Sequence, residues 1–340
     1  MKNKKWISLA AAVVLTVTAL PVGVFAAKKD GAEEKLTKVT LNEVAHSIFY
    51  APQYVAIEEG YFAEEGLDLT LVTGFGADKV LTALISGEAD IGFMGAEASI
   101  YAYQEGATDP AVNFAQLTQR AGNFLVAREE MSDFKWEDLK GKKVLGGRKG
   151  GMPEMVFEYI LKKNGIDPQK DLTIDQSIDF GSTAAAFTGD DSAAYTVEFE
   201  PSATILEKEG AGYVVASLGE ASGYVPYTSY SAKESYMKEN PEIIQKFTNA
   251  LQKGMDYVQS HTPEEIAEVI APQFKETDLD TITTIVKRYY DQDTWKENLI
   301  FEKDSFELLQ DILEDAGELN TRAEYEKLVE TEYAQKACES

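Results

Sequence analysis

The chain has one cysteine, Cys338, and two histidines, His46 and His261, in 340 residues. A single cysteine excludes an intrachain disulfide and a thiolate metal cluster. Two histidines far apart in sequence give no multi-histidine metal site, and HExxH is absent. GxSxG and GxxxxGK[ST] are absent as well, so the sequence offers no serine-hydrolase elbow and no Walker loop. Basic charge is scarce: 32 Lys and Arg stand against 58 Asp and Glu, a formal net charge of −26. That balance argues against nucleic acid and against an anionic membrane surface as partners. No motif implies a cofactor. Past the N-terminus, no apolar run reaches the length of a transmembrane helix.

What is present is ordinary globular material. Apolar residues make up 44% and aromatics 11%, values of a folded chain. The length exceeds one ordinary core, so two lobes are expected. The opening MKNKKWISLAAAVVLTVTALPVGVFAAKKD has a basic start, an apolar stretch from Trp6, a break at Pro21 and Val24-Phe25-Ala26 before Ala27. This reads as a secretory signal over residues 1–26, cleaved after Ala26; an uncleaved anchor is the alternative. Loss of Lys2, Lys4 and Lys5 would take the formal charge to about −29. The expected location is extracytoplasmic, in the periplasm or on the outer face of the cell membrane. Cys338 sits at the wrong end to carry a lipoprotein's lipid.

Strands and helices then alternate. Val39–Ala45 reads as a strand, and Pro52 opens a helix that Gly60 stops. Leu67, Leu69 and Leu71 alternate as in a strand. Val80, Leu81, Leu84 and Ile85 form a helical stripe ended by Gly87. Ile91–Met94 reads as a strand, Glu97–Gln104 as a helix, and Phe114–Leu117 and Phe124–Ala127 as strands. This order implies a mostly parallel sheet covered on both faces. The pattern restarts after Asp138: strands at Val144–Gly146, Leu172–Ile174, Ala193–Val197 and Val214–Ser217, helices at Pro153–Lys163 and Pro201–Glu209. After a strand at Tyr227–Ala232 the chain turns helical, ending in one expected helix over Ala323–Tyr333. The second unit reads as inserted into the first. Residues 36–125 plus 225–335 make the first lobe and 126–224 the second, with crossovers near Asn123–Arg128 and Ala221–Tyr227 acting as a hinge.

Several of these segments carry a family resemblance. HSIFYAPQYVAIEEGYFAEEGLDL (46–69), ALISGEADIGFMGAEASIYAYQEG (83–106) and DLKGKKVLGGRKGGMPEM (138–155) resemble the solute-binding proteins of ABC importers. EFEPSATILEKEGAGYVVASLGE (198–220) and PEIIQKFTNALQKGMDYVQSHTPEEIA (241–267) extend the match. The nearest branch holds alkanesulfonate, taurine, nitrate, riboflavin and thiamine-pyrimidine binders. The resemblance implies an α/β protein with a two-lobed type II periplasmic-binding-protein fold. It also implies lobes that close on a small molecule and dock to a permease with its ATPase, and a monomeric chain is expected.

The residues themselves point to a cleft. In open α/β sheets ligands lie beyond the carboxyl ends of strands, where helix N-termini offer free amides. Tyr50-Ala51-Pro52, Phe75-Gly76, Gly95-Ala96-Glu97, Gly150-Gly151-Met152-Pro153 and Glu198–Pro201 are all such junctions. In GGRKGGMPEM (146–155), Gly150 and Gly151 would let backbone approach a ligand. Arg148 would clamp an anion or pair with a carboxylate. Phe49, Tyr50, Tyr54, Phe75, Tyr101, Tyr195 and Tyr227 crowd the same region and favour a flat heterocycle, although core packing explains each ring singly. Glu97, Glu198 and Glu200 suit ring N–H or amino donors. Arg120 and Arg148 would suit an anion or neutralise those glutamates. Glu200 could also serve its helix as an N-terminal acid. The glutamate and tyrosine placement resembles the thiamine-pyrimidine binders more than the sulfonate binders; riboflavin or another aromatic ligand stays open. A eukaryotic relative of the fold makes the thiamine pyrimidine with a cysteine-rich motif, which Cys338 alone cannot supply. His46 is expected as a hydrogen-bonding residue of the cleft wall rather than a base, so no enzyme activity is expected. Thr262 with Glu265 reads as a capping box.

Overall fold

The computed structural model describes residues 35–178 and 180–339. The expected signal segment lies outside them, and no helix among the described residues is long and apolar enough to cross a membrane. The strands are β1 (Thr37–Glu43), β2 (Leu67–Thr73), β3 (Ile91–Gly95), β4 (Ala111–Thr118), β5 (Asn123–Ala127), β6 (Lys143–Leu145), β7 (Thr173–Asp175), β8 (Tyr195–Phe199), β9 (Tyr213–Ser217) and β10 (Thr228–Lys233). They form two five-stranded sheets, ordered β2-β1-β3-β10-β4 and β7-β6-β8-β5-β9. This is the expected α/β architecture of two sheets.

Each sheet has one strand running against its neighbours. β10 is antiparallel to β3 and β4, and β5 is antiparallel to β8 and β9. The reason is the path of the chain. Strands joined through a covering helix must return in the same direction. β5 and β10 instead enter their sheets directly from the other lobe, starting at the cleft, where the parallel strands end. The crossings are residues 119–122 and 218–227, so Asn123–Ala127 is wholly a strand of the second sheet. The two crossings are bonded to each other: Val225 N–H donates to the Gln119 carbonyl at 2.9 Å.

A further segment runs beside them. The helix Leu279–Asp291 leads into a segment in which Lys296 N–H donates to the Leu117 carbonyl at 3.2 Å. The Trp295 indole N–H donates to the Phe49 carbonyl at 2.8 Å. At the N-terminus of the helix Pro263–Ile270, Thr262 and Glu265 form the expected capping box. His261 stacks on Tyr257 with ring centroids 3.6 Å apart. The C-terminal segment departs from the expected single helix. It forms Tyr325–Leu328 and Glu332–Cys338, because the β-branched Val329 is drawn into an extended bridge beside Asn113 of β4. Helices at Thr183–Gly189, Leu218–Ser222 and Glu234–Glu239 are too short to show a full apolar stripe in the sequence.

Candidate functional site

The carboxyl ends of β3 and β6 open into helices that face each other across the lobes. Glu97–Gln104 follows β3, and Met152–Lys163 follows β6. The lobes are in contact here. The Tyr101 hydroxyl donates to the Gly150 carbonyl at 3.3 Å and lies 3.6 Å from Met155 Sδ. Arg148 pairs with Asp78 at 3.3 Å, and the Ser47 hydroxyl donates to the Glu200 carbonyl at 3.2 Å.

Glu97 lies at the centre and is buried. Its carboxyl lies near its own amide and, across the lobe boundary, near the Met152 amide, and both pull its pKa down. Oε2 has no hydrogen-bond partner among the described residues. Burial pushes its pKa up to about 7, against the pull of those two amides and of Arg148. The carboxyl folds back over Gly95, where an added Cβ would stand 2.6 Å from Glu97 Cδ. Glycine is therefore needed at Gly95 for close approach. Ala96 sits between them, in ordinary helical geometry.

On the opposite wall, Gly150 has φ +77°, a left-handed conformation that favours glycine. Its amide donates to Glu154 Oε2 at 3.2 Å. Gly151 is extended at φ −90°, so its conformation is open to any residue. Met152 is buried at the first turn of its helix. Burial, then the neighbouring Glu158, raises the Glu154 carboxyl above its ordinary range.

The Tyr50 ring is buried against Phe93, edge-on at 4.5 Å, and beside Phe49 at 5.1 Å. Burial, then the charges of Glu43 and Glu97, hold its hydroxyl protonated far above the usual tyrosine range. At the mouth, near the Asp78–Arg148 pair, Phe75 is 74% exposed. Its φ is +57°, uncommon for a bulky residue. Gly76, at φ +149°, caps the helix Ala77–Ser86.

The remaining expected residues sit elsewhere. Tyr54 and His46 belong to a network around Glu43, which is fully buried at the end of β1. Glu43 accepts from Gln53 and Tyr54 at 2.8 Å and from Thr73 at 3.1 Å, and it contacts His46 Nδ1 at 2.8 Å. His46 Nε2 lies 3.0 Å from the Gln273 carbonyl. Hydrogen bonding to Glu43 raises the His46 pKa, opposed by burial. Glu200 turns into its own helix and accepts from the Thr204 amide and hydroxyl at 2.9 Å. Arg288, from the helix Leu279–Asp291, donates to it at 2.8 Å. Glu198 accepts from Thr196 at 2.6 Å and Thr183 at 3.0 Å, and burial pushes its pKa up to about 7. Arg120 joins the crossings: it donates to the Gly219 carbonyl at 3.1 Å, and its guanidinium lies 4.2 Å from the Tyr224 ring centroid. Tyr227 packs edge-on to Phe49 at 5.6 Å beside the same crossings. Tyr195 points its hydroxyl toward Met131.

Sequence reasoning missed Glu43, Asp78 and Arg288. Glu43 closes a strand in which polar and apolar residues alternate, so its sequence carried no signal that set it apart. The pairings of Asp78 and Arg288 join distant segments and had none. An open hollow of about 550 Å³ lies beside the crossings, lined by Gln119, Tyr224, Asp256, Gln259, Asp293 and Glu297. Neither Glu97 nor Tyr50 lines it, and the candidate site is taken as the cleft.

Two five-stranded α/β sheets joined by paired crossings define a two-lobed α/β architecture. The chain belongs to the NMT1/THI5 like family, whose model matches residues 48–266. It is 46% identical over 332 residues to the putative binding protein YtlA of Bacillus subtilis (strain 168), covering 98% of each chain. It is 24% identical over 225 residues to a 4-amino-5-hydroxymethyl-2-methylpyrimidine phosphate synthase of Saccharomyces cerevisiae, covering 62% of this chain and 63% of that protein. The riboflavin-binding protein RibY of Chloroflexus aurantiacus is 25% identical over 236 residues, 68% of this chain and 65% of that one. Among solved structures, the alkanesulfonate-binding protein SsuA from Xanthomonas axonopodis pv. citri superposes with a TM-score of 0.69 at 15% identity, over 87% of this chain and 99% of that one. The periplasmic nitrate-binding protein NrtA from Synechocystis PCC 6803 gives 0.69 at 15%, over 90% and 89%. These two likenesses establish the fold.

Proposed function

We propose that the chain is an extracytoplasmic solute-binding protein of an ABC importer. It closes its lobes on a small planar nitrogen heterocycle of the thiamine-pyrimidine type and delivers it to a permease. The family, the fold and a near-full-length relative named as a binding protein support the class. Export through the N-terminal segment and a permease partner follow from the class.

The observation that carries the ligand reading is Glu97: buried between the lobes, with one carboxylate oxygen unpartnered. A ring N–H or amino group would satisfy that oxygen and relieve the cost of its burial. Tyr50 supplies the adjacent ring. The proposed contacts are Tyr50, Gly95, Ala96, Glu97, Tyr101, Gly150, Gly151 and Met152, with Phe75, Gly76 and Arg148 at the mouth. Relatives named for a pyrimidine and for riboflavin agree with a flat heterocycle. Contacts from both lobes exist together only when the lobes meet, so ligand stabilises that state.

An anionic ligand is the second reading, favoured by the helix N-termini and by fold neighbours that bind alkanesulfonate and nitrate. A thermal-shift screen of the purified chain separates the two. Aminopyrimidines and flavins form one arm; taurine, alkanesulfonates and nitrate form the other. At a hundred times its dissociation constant a true ligand stabilises by about 2.7 kcal/mol. A shift with the heterocycles alone is expected; a shift with the anions alone overturns the reading.

A further inference from the structure

Paired helix N-termini are ready-made anion sites, since their free amides and dipoles favour negative charge. In this cleft two of them converge, and a side chain of the protein already stands there. Glu97 opens the eight-residue helix Glu97–Gln104, yet its carboxyl turns back over Gly95, toward its own amide, and lies near the Met152 amide that opens the twelve-residue helix on the other lobe. Its Oε2 is buried, unpartnered and pressed over Gly95, where only a missing Cβ leaves room. The one arginine nearby, Arg148, is half exposed and paired with Asp78 at 3.3 Å.

The geometry points to Glu97 as a built-in anion: its carboxylate occupies the position between the two helix N-termini that an oxyanion ligand would take, and so selects against anionic ligands. The inference rests on placing the site in the cleft. It differs from the ligand reading, because it concerns what the chain excludes rather than what it admits. Two effects produce the exclusion. The carboxyl stands beside the Met152 amide that an oxyanion would need. Once the carboxyl is ionised, above about pH 7, its charge would also stand beside a second anion, and like charges in a buried site repel strongly. A neutral or cationic donor meets the reverse situation, because Oε2 lacks a partner.

The test is a gain of function. Wild-type chain, Glu97→Ala and Glu97→Gln are titrated calorimetrically with nitrate, sulfate and methanesulfonate at constant ionic strength, with circular dichroism confirming the fold. The wild type should bind none of them. Glu97→Ala vacates both the volume and the charge and should bind at least one about tenfold or more tighter than wild type. Formate or acetate should raise the melting temperature of Glu97→Ala and not that of the wild type, by refilling the vacated carboxylate position. If Glu97→Ala does not fold, Glu97→Gln, which removes the charge and keeps the shape, should show the anion gain in weaker form. Anion binding by the wild type overturns the inference, as does a folded variant with no gain and no rescue. Failure of heterocycles to bind the wild type would count against the ligand reading and leave the anion titrations to be judged separately.

Discussion

The Tyr101 hydroxyl, carried by the first lobe, donates to the Gly150 carbonyl oxygen of the second at 3.3 Å. This bond exists only while the lobes touch. Its contribution therefore belongs to closure and not to the stability of either lobe. Tyr101→Phe should weaken ligand binding by about 0.5–1.5 kcal/mol, the net worth of a neutral hydrogen bond. Its melting temperature without ligand should change little. Calorimetric titration beside a thermal melt checks both.

The buried carboxyls set a pH dependence. Burial raises Glu97 and Glu198 to about 7 each. A carboxyl whose folded pKa is raised contributes stability that is fully present below its ordinary value near 4.5 and is lost as pH rises through about 7. Each pKa unit is about 1.4 kcal/mol, so the loss for each group is on the order of 3 kcal/mol. Glu97→Gln should flatten that part of the stability profile, measured by urea denaturation across the same pH range. An unchanged profile would mean that Glu97 titrates normally.

Two arginines at lobe boundaries should differ sharply. Arg288 meets Glu200, whose side chain is fully buried, at 2.8 Å, and it also reaches Glu207. Arg288→Ala strands a buried charge and should cost about 3–5 kcal/mol. Arg148 and Asp78 are both about half exposed, so Arg148→Ala should cost no more than about 1 kcal/mol. Glu200→Gln should likewise appear in the melting temperature first, because its carboxylate is committed to Thr204 and Arg288. Chemical denaturation of the three variants ranks them.

Gly95→Ala puts a methyl into the space of the Glu97 carboxyl. The side chain must move or the backbone must shift, at about 1–3 kcal/mol. Ligand affinity should fall with it. Binding at wild-type affinity would show that the carboxyl is free to relocate without consequence.

Tyr50→Phe keeps a buried ring and removes a hydroxyl that lies near two carboxylates. It should alter affinity while leaving the melting temperature near that of the wild type. Tyr50→Ala would instead open a core cavity costing about 3–5 kcal/mol, so its effect on binding could not be read alone.

Much of the cleft was legible because strand–helix junctions announce themselves locally. The apolar run Ile91–Met94 followed by Gly95-Ala96-Glu97, and the glycines before Met152, place two helix N-termini without any knowledge of tertiary contacts. Aromatic rings were less informative. Tyr54, Tyr195 and Tyr227 look like Tyr50 in sequence, but rings packed against quite different neighbours have the same composition and the same local pattern. The three glutamates diverged for the same reason: Glu198 and Glu200 found hydroxyls, an amide and a guanidinium within the fold, and Glu97 keeps one buried oxygen without a partner.

By itself, then, the sequence determined the alternation of strands and helices, the scarcity of thiol and imidazole chemistry and the glycine-framed helix starts, because these depend on local period and residue type. The tertiary structure alone decided that β5 and β10 run against their sheets, that Arg288 is spent on Glu200, and that Glu97 meets the Met152 amide with one oxygen left over. Those outcomes depend on which distant segments share a neighbourhood, and spacing along the chain carries no record of that.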